Sequence, residues 1–185
     1  MQKLKHKSDI ELFMELSGSH FNAEVAFAEL YSRHAQRVFA YCLRIMGNNE
    51  DAQDIFQETF IKFHKSAQVN ESMENIGAYL ITTARNLCLN YKRGQKRDLS
   101  FEEYSFVMSD DGFEQQEMLE LIAAALELLD FEHREAFVLR NYQGLSYKEI
   151  AKITHSSLSA IKNRVWRAKE KIREALVPYL EDMSN

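Results

Sequence analysis

Residues 144–173 read GLSYKEIAKITHSSLSAIKNRVWRAKEKIR, and this stretch decides the class of fold. Ser146 and, three residues later, Glu149 form a capping box, in which each side chain satisfies a free backbone N–H at the start of a helix. After a short turn, Ser157 is suited to cap a second, longer and basic helix. A short helix, a tight turn and a longer helix are typical of a helix-turn-helix, whose second helix enters the major groove of DNA.

The second helix of this motif has two different faces when its residues are placed at intervals of roughly 100°. One face is apolar and predicts a core stripe of Leu158, Ile161, Val165, Ala168 and Ile172. The opposite face, which we expect to meet base edges, holds Ser159, Asn163, Trp166 and Arg167. The flanking cations, which we expect to meet phosphates, are Lys162, Arg164 and Lys169. The alternative interpretation is the solvated face of a helical bundle.

The rest of the chain is also predicted to be helical. One proline and six glycines in 185 residues leave few natural breaks, which favours long helices over a turn-rich β fold. Apolar residues recur at three- and four-residue spacing, which predicts further helices. The predicted helices cover 8–17, 22–46, 50–66, 75–93, about 119–129, 131–142, 147–154 and 158–175.

The periodicity stops between residues 95 and 115, where acidic residues stand among a few aromatic ones. This composition predicts a flexible acidic linker. The fold class is therefore all-α, with two small helical domains joined by that linker. The expected bounds are 1–95 for the first domain, 96–115 for the linker and 116–185 for a helix-turn-helix domain that resembles a winged helix without its wing.

The net charge of −5 speaks against a nucleic-acid partner, but the charges are unevenly distributed. Residues 83–98 hold five Lys/Arg and one acid, net +4. Residues 99–135 hold one Arg and eleven acids, net −10. Residues 136–185 hold nine Lys/Arg and five acids, net +4. Two basic segments thus flank an acidic one. Two roles are open for the acidic segment: it competes with DNA for the basic segments, or it is a merely solubilising linker.

Several classes of protein are excluded. The longest apolar run, 121–126, has six residues, whereas a membrane span needs roughly 20. Glu11 and Glu15 interrupt the apolar stretch near the N-terminus, which argues against a signal peptide. The two cysteines, Cys42 and Cys88, form no Cys-x-x-Cys pair, so neither a disulfide scaffold nor a metal site is expected. The prediction is a cytoplasmic protein without membrane insertion, metal or cofactor.

A second basic helix is predicted over AYLITTARNLCLNYKR, residues 78–93. Arg85 and Lys92 share an outer stripe, because they lie seven residues apart, and Asn86 and Arg93 form the neighbouring stripe. The ring of Tyr79, near the helix start, is suited either to stack on a base or to pack in the core. Taken alone, this helix is also compatible with a solvated bundle face.

The helix DAQDIFQETF, residues 51–60, has an acidic and amide-bearing face. That face consists of Asp51, Asp54, Gln57 and Glu58. Its carboxylates are in principle able to ligate a metal or act in acid–base catalysis, but no histidine lies at a useful offset. A solvated face or a protein-docking face is the preferred interpretation, and an enzyme is not expected.

Four segments, in this order and spacing, resemble the extracytoplasmic-function sigma factors, the smallest group of the main bacterial RNA polymerase sigma family. They are FAELYSRHAQRVFAYCLRIMGNNEDAQDIFQETFIKFHK (27–65), GAYLITTARNLCLNYKR (77–93), LDFEHREAFVLRNYQGLSYKEIA (129–151) and SAIKNRVWRAKEKIRE (159–174). The resemblance extends from about residue 8 to 176. It covers nearly the whole chain.

This resemblance implies roles for the residues above. Asp51, Asp54, Gln57 and Glu58 would lie in the helix that docks on the clamp helices of the polymerase's largest subunit. Tyr79, Arg85, Asn86, Lys92 and Arg93 would belong to the segment that reads and melts the minus-ten element, with Asn86 helping to hold a flipped-out base. Residues 157–169 would read the minus-thirty-five element. Helices over 118–142 would meet the polymerase flap, and residues 99–117 would thread the polymerase's interior channel.

Three positions depart from the family pattern. The family often has Trp at the position of Tyr79, and it commonly has Gly at the position of His155. A histidine in that turn must tolerate a left-handed backbone, or the turn must differ. Trp166 replaces a residue that is usually smaller or more polar. These departures bear on promoter sequence rather than on the class of protein.

The sequence therefore predicts a non-enzymatic initiation factor that binds core RNA polymerase and promoter DNA, with an anti-sigma factor as a further partner. The first alternative is a helix-turn-helix regulator that binds an operator without polymerase. The second is a hydrolase with a carboxylate site on residues 50–58. The separate acidic and basic helices of the first domain favour the sigma factor over the stand-alone regulator.

Overall fold

A computed structural model describes residues 6–16, 20–69, 72–94 and 121–182, and every regular element among them is a helix. The chain divides into two compact units, Met1–Leu99 and Ser100–Asn185. The predicted all-α fold with two helical domains is confirmed. The predicted linker and its acidic residues lie outside the described residues.

The described residues of the first unit form four helices: α1 (Asp9–Glu15), α2 (His20–Met46), α3 (Asn49–Ala67) and α4 (Ile76–Gly94). A capping box of Ser8 and Glu11 opens α1, and the Asn48 side chain caps α3. Helix α2 is central, because it packs against α1, α3 and α4. The largest fully buried side chains of the unit are Leu12, Phe13, Leu30, Tyr41, Ile45, Phe63, Ile76, Leu80 and Ile81.

A polar network fastens α1 to α2. One carboxylate oxygen of Asp9 accepts a hydrogen bond from Arg33 Nη1 at 3.0 Å, and the other contacts His34 Nε2 at 2.6 Å. Arg33 also bonds the Lys7 carbonyl at 2.8 Å and Glu29 at 2.9 Å. Although partial burial acts to raise the pKa of Asp9, the hydrogen bonds from Arg33 and His34 outweigh it and lower that pKa.

The second unit contains the helical segment 121–127 (α5), then α6 (Phe131–Asn141), α7 (Tyr147–Thr154) and α8 (Leu158–Asp182). Asp130 caps α6, and the predicted capping box of Ser146 and Glu149 opens α7. Helix α8 packs on both α6 and α7. One apolar cluster of the unit consists of Ala125, Leu126, Leu129, Ala168 and Ile172.

Two details of α8 differ from the sequence prediction. Leu158 was expected in the core stripe, but it is 37% exposed, because it lies in the first turn and at the angular edge of that stripe. The helix was expected to end at 175, but it continues through Pro178 to Asp182. Proline removes one helical hydrogen bond. Ala175 and Leu176 pack against the cluster just before it, which keeps this part of the helix in place.

None of the helices in the described ranges is both long enough and apolar enough to cross a membrane.

Candidate nucleic-acid interface and docking helix

The helix-turn-helix places the predicted base-reading residues of α8 on one exposed face. Ile161, Val165 and Ala168 are at most 1% exposed and hold the opposite face against the core. The exposed side chains are Ser159, Lys162, Asn163, Trp166, Arg167 and Lys169. Trp166 is 62% exposed, although it is a large apolar residue. The face therefore combines amide, guanidinium, ammonium and indole groups, a set that suits the edges and phosphates of a DNA groove.

Two residues of this face are directly joined. Arg167 Nε donates a hydrogen bond to the side-chain oxygen of Asn163 at 2.9 Å. The guanidinium has five N–H donors, so four remain for a guanine edge or a phosphate, and the Asn163 amide NH₂ remains for a base acceptor. The sequence offered the signal for this contact, since residues four apart on a helix are neighbours.

Arg164 has a different environment from the other cations of α8. Its side chain is 23% exposed, its Nη1 donates to the Ser156 hydroxyl at 2.9 Å, and its Nη2 binds the Glu132 carboxylate. These contacts tie α8 to the turn before it and to the first turn of α6. The structure thus gives Arg164 a role inside the unit, and its predicted phosphate contact stays a prediction.

The sequence left two possibilities for the turn between α7 and α8, and the structure shows the left-handed backbone at His155. This residue has φ 52° and ψ 40°. Its N–H bonds the Lys152 carbonyl at 3.4 Å, and the N–H of Ser156 bonds the Ala151 carbonyl at 3.0 Å. Ser157 then caps α8, since its hydroxyl accepts the N–H of Ala160 at 3.1 Å. The turn is therefore the one expected with glycine, formed here by histidine.

Helix α4 exposes part of its predicted minus-ten set. Asn86 and Arg93 are exposed, whereas Arg85 and Lys92 are half-buried. Tyr79 is half-buried too, and its ring centroid lies 6.1 Å from that of Phe63 in α3. This contact supports packing of the Tyr79 ring against the core, and the stacking of Tyr79 on a base stays a prediction.

Helix α3 separates its four acidic and amide residues into two groups. Asp54, Gln57 and Glu58 are exposed, and Glu58 forms a salt bridge with Lys62 at 3.3 Å. These three residues together form the open acidic surface of α3.

Asp51, in contrast, is engaged within the unit. Its N–H bonds the Asn48 side chain at 2.8 Å, its carboxylate accepts from the Asn48 amide at 2.6 Å, and the same carboxylate accepts from the Tyr91 hydroxyl. The hydrogen bond to Asp51 raises the pKa of Tyr91 to about 12. Nothing in the sequence spacing relates Tyr91 to a residue forty positions earlier.

Within the described ranges, no three His, Cys, Asp or Glu side chains are arranged to hold a metal ion. Cys42 and Cys88 are both buried in the first unit.

Two sequence profiles match the chain. Sigma-70 region 2 matches residues 30–98, which include α3 and α4, and sigma-70 region 4 matches residues 119–172, which include the helix-turn-helix.

Similar curated proteins agree with these profiles. The RNA polymerase sigma factor CarQ of Myxococcus xanthus is 32% identical over 83% of this chain and 91% of its own length. The ECF RNA polymerase sigma factor EcfG of Rhodopseudomonas palustris is 30% identical over 74% of this chain and 77% of its own length. The ECF RNA polymerase sigma factor SigE of Mycolicibacterium smegmatis is 33% identical over 82% of this chain, which spans only 62% of that relative.

Solved structures show the same fold. The sigma factor RpoE of Bartonella quintana, in complex with the anti-sigma factor NepR, matches with a TM-score of 0.72 and 25% identity, over 81% of this chain and 96% of that one. CnrH, in complex with the cytosolic domain of CnrY, matches with a TM-score of 0.67 and 21% identity, over 92% of this chain and 99% of that one.

Proposed function

The chain belongs to the extracytoplasmic-function sigma factors, and from that premise we propose that it binds core RNA polymerase and directs it to a particular set of promoters. The observation that carries this proposal is the coexistence of two surfaces. One is the exposed face of α8 in the second unit, and the other is the open acidic surface of α3 in the first. A regulator that binds DNA alone needs only the first of these.

We assign polymerase docking to Asp54, Gln57 and Glu58. All three are exposed on α3, so a basic partner surface can reach them without unfolding the unit. Asp51 instead bonds within the first unit, to the α3 cap residue Asn48 and to the Tyr91 hydroxyl of α4. These contacts fix α3, the proposed docking helix, to α4, the proposed minus-ten helix.

We assign the minus-ten contacts to α4, with Asn86 and Arg93 as the outermost residues and Arg85 and Lys92 beside them. An amide can pair with an unstacked base, and cations neutralise the phosphates of the separated strands. Tyr79 contributes by packing against Phe63, which positions the start of α4.

We assign the minus-thirty-five contacts to α8. Asn163 and Arg167 read base edges as a hydrogen-bonded pair, Trp166 offers an apolar contact beside them, and Lys162 and Lys169 meet phosphates. The hydrogen bond from Arg164 to the Ser156 hydroxyl joins α8 to the turn before it.

The protein acts in the cytoplasm under this proposal, because its polymerase partner is there, and the polymerase supplies the catalysis. An anti-sigma factor is a further proposed partner. It is supported by the likeness to a sigma factor whose solved structure is a complex with one.

DNA selection with and without core polymerase tests the proposal. The full-length protein is mixed with a pool of random duplexes, with and without purified bacterial core enzyme, and the retained DNA is sequenced. We expect sequences with two separated conserved elements to be enriched when core enzyme is present. Enrichment of one compact element that does not depend on core enzyme would identify a stand-alone regulator instead.

A further inference from the structure

The turn of the helix-turn-helix carries a histidine in a conformation that disfavours it. In the described ranges His155 is the non-glycine residue with positive φ, at 52°, whereas Gly47 and Gly144 adopt positive φ at no steric cost. A side chain in the left-handed region clashes with its own backbone. An outlier of this kind is a reason to ask what its side chain does.

The imidazole contributes nothing visible to the turn itself. The turn is closed by backbone hydrogen bonds, from His155 N–H to the Lys152 carbonyl at 3.4 Å and from Ser156 N–H to the Ala151 carbonyl at 3.0 Å. The His155 side chain is exposed, and no hydrogen bond or ion pair of the described residues involves it. Glycine would form the same turn with less strain, so the fold does not require this side chain.

The position of His155 places it next to the DNA-facing end of α8. It lies two residues before the cap Ser157, and the exposed face of α8 begins at Ser159. In a helix-turn-helix the start of the second helix enters the major groove, and phosphates line both edges of that groove.

Three charged residues have described contacts at or beside the turn. The Lys152 carbonyl on α7 accepts from His155 N–H, Arg164 on α8 binds the Ser156 hydroxyl, and Glu132 on α6 binds Arg164. Glu132 is paired with Arg164. A phosphate brought beside the His155 imidazole would favour the protonated form of that imidazole.

We propose that His155 is a further DNA-backbone contact, whose imidazole donates a hydrogen bond to a phosphate oxygen beside the groove that α8 enters and takes up a proton when it does so. The inference rests on the proposed DNA-reading role of α8. It adds a contact that the glycine usual at this position in the family cannot make.

The test uses the full-length protein and a labelled duplex of mixed sequence, because a phosphate contact does not depend on base sequence. Binding is measured by fluorescence anisotropy against salt concentration, at about pH 6 and about pH 8, on either side of the ordinary histidine pKa of about 6.5. We expect His155→Gly to bind about 3–10-fold more weakly than wild type near pH 6, and less than about twofold more weakly near pH 8. Near pH 6 its logarithmic salt slope is shallower by about 1.

Three further variants make the result interpretable. His155→Asn keeps a polar residue that tolerates the left-handed region but carries no charge, and we expect it to behave as the glycine variant does. His133→Gln changes the other histidine of the second unit and leaves the wild-type pH dependence in place. Lys162→Ala lowers the salt slope at both pH values, because lysine stays charged throughout.

The glycine variant is expected to unfold at the same temperature as wild type or higher, so weaker binding cannot be ascribed to misfolding. If His155→Gly binds with wild-type affinity and slope near pH 6 while Lys162→Ala reduces both, His155 makes no contact and the inference is wrong. If instead the wild-type protein binds neither the duplex nor core polymerase, the proposed function itself fails.

Discussion

The side-chain oxygen of Asn163 accepts a hydrogen bond from Arg167 Nε at 2.9 Å, so the two residues expected to read bases are joined as a pair. The amide restrains the long arginine side chain before DNA arrives, which lowers the entropy lost on binding. The contribution of each side chain to DNA binding therefore depends partly on the other side chain.

Asn163→Ala and Arg167→Ala are each expected to cost about 1–3 kcal/mol at the preferred upstream element and to relax specificity there. Because they are in contact, the double variant should cost less than the sum, by roughly 0.5 kcal/mol or more. Holoenzyme binding to a library of upstream elements measures both quantities. Strict additivity would mean that the hydrogen bond has no role in reading DNA.

Lys162→Ala provides the contrast on the same helix. Its ammonium is placed at a flank of the exposed face, where phosphates run, so its loss should weaken all sequences alike and make the salt slope shallower by about 1. The same library, read at several salt concentrations, tests this. A change in the preferred sequence with Lys162→Ala, and only in overall affinity with Asn163→Ala, would refute the assigned orientation of α8.

Charge reversal of Asp54 together with Glu58 is expected to weaken core binding by about 2–5 kcal/mol and leave the fold intact. Both side chains are exposed, and among the described residues the ion pair that is lost is the surface pair of Glu58 with Lys62. Titration of labelled protein with core enzyme gives the affinity, and circular dichroism gives the fold.

Tyr91→Phe is the matched control for that experiment. It removes the hydrogen bond to Asp51 without removing the ring, and we expect it to destabilise the first unit by about 1 kcal/mol with core binding nearly unchanged. Normal core binding by the Asp54 and Glu58 variant would move the docking surface away from α3.

His155→Gly is expected to raise the free energy of unfolding of the second unit. A non-glycine residue in the left-handed region costs about 1–2 kcal/mol, part of which is offset by the greater freedom of glycine in the unfolded chain. We expect a net gain of about 0.5–1 kcal/mol, measured by urea unfolding at neutral pH. A loss of stability would show that the imidazole holds the turn.

The contribution of Asp9 to stability is expected to depend on acid pH. The pKa of Asp9 is lowered in the folded protein, so its contribution is present above the ordinary value of 3.8 and is lost as the pH falls through the lower folded pKa. Because the group is partly exposed, Asp9→Asn should cost only about 0.5 kcal/mol at neutral pH. Urea unfolding of the two proteins should converge in acid, and a constant difference at every pH would contradict this origin.

The helices and their starts were predictable because their signals are local. Capping boxes at Ser8 and Ser146, and apolar residues on one stripe of each helix, depend on residues a few positions apart. The exposed face of α8 follows from the same periodicity, since Ile161 and Val165 fix which side is buried.

Contacts between distant positions were not predictable in this way. The pairing of Arg164 with Glu132, and that of Tyr91 with Asp51, join residues that only the packing of helices brings together. These contacts changed two interpretations, because they turn Arg164 and Asp51 from free charges on an outer face into groups bonded within their units. The exposure of Leu158 has a simpler cause, because this residue lies in the first turn of α8 and at the edge of the apolar stripe.

Transcription in vitro tests the central claim most directly. Purified bacterial core polymerase is given fragments of the bacterial genome with and without the full-length protein, and the 5′ ends of the transcripts are sequenced. The account predicts transcripts that begin at a limited set of sites and depend on the protein, and that are lost with the Asp54 and Glu58 charge reversal but kept with His133→Gln. Transcripts that are the same with and without the protein would contradict it.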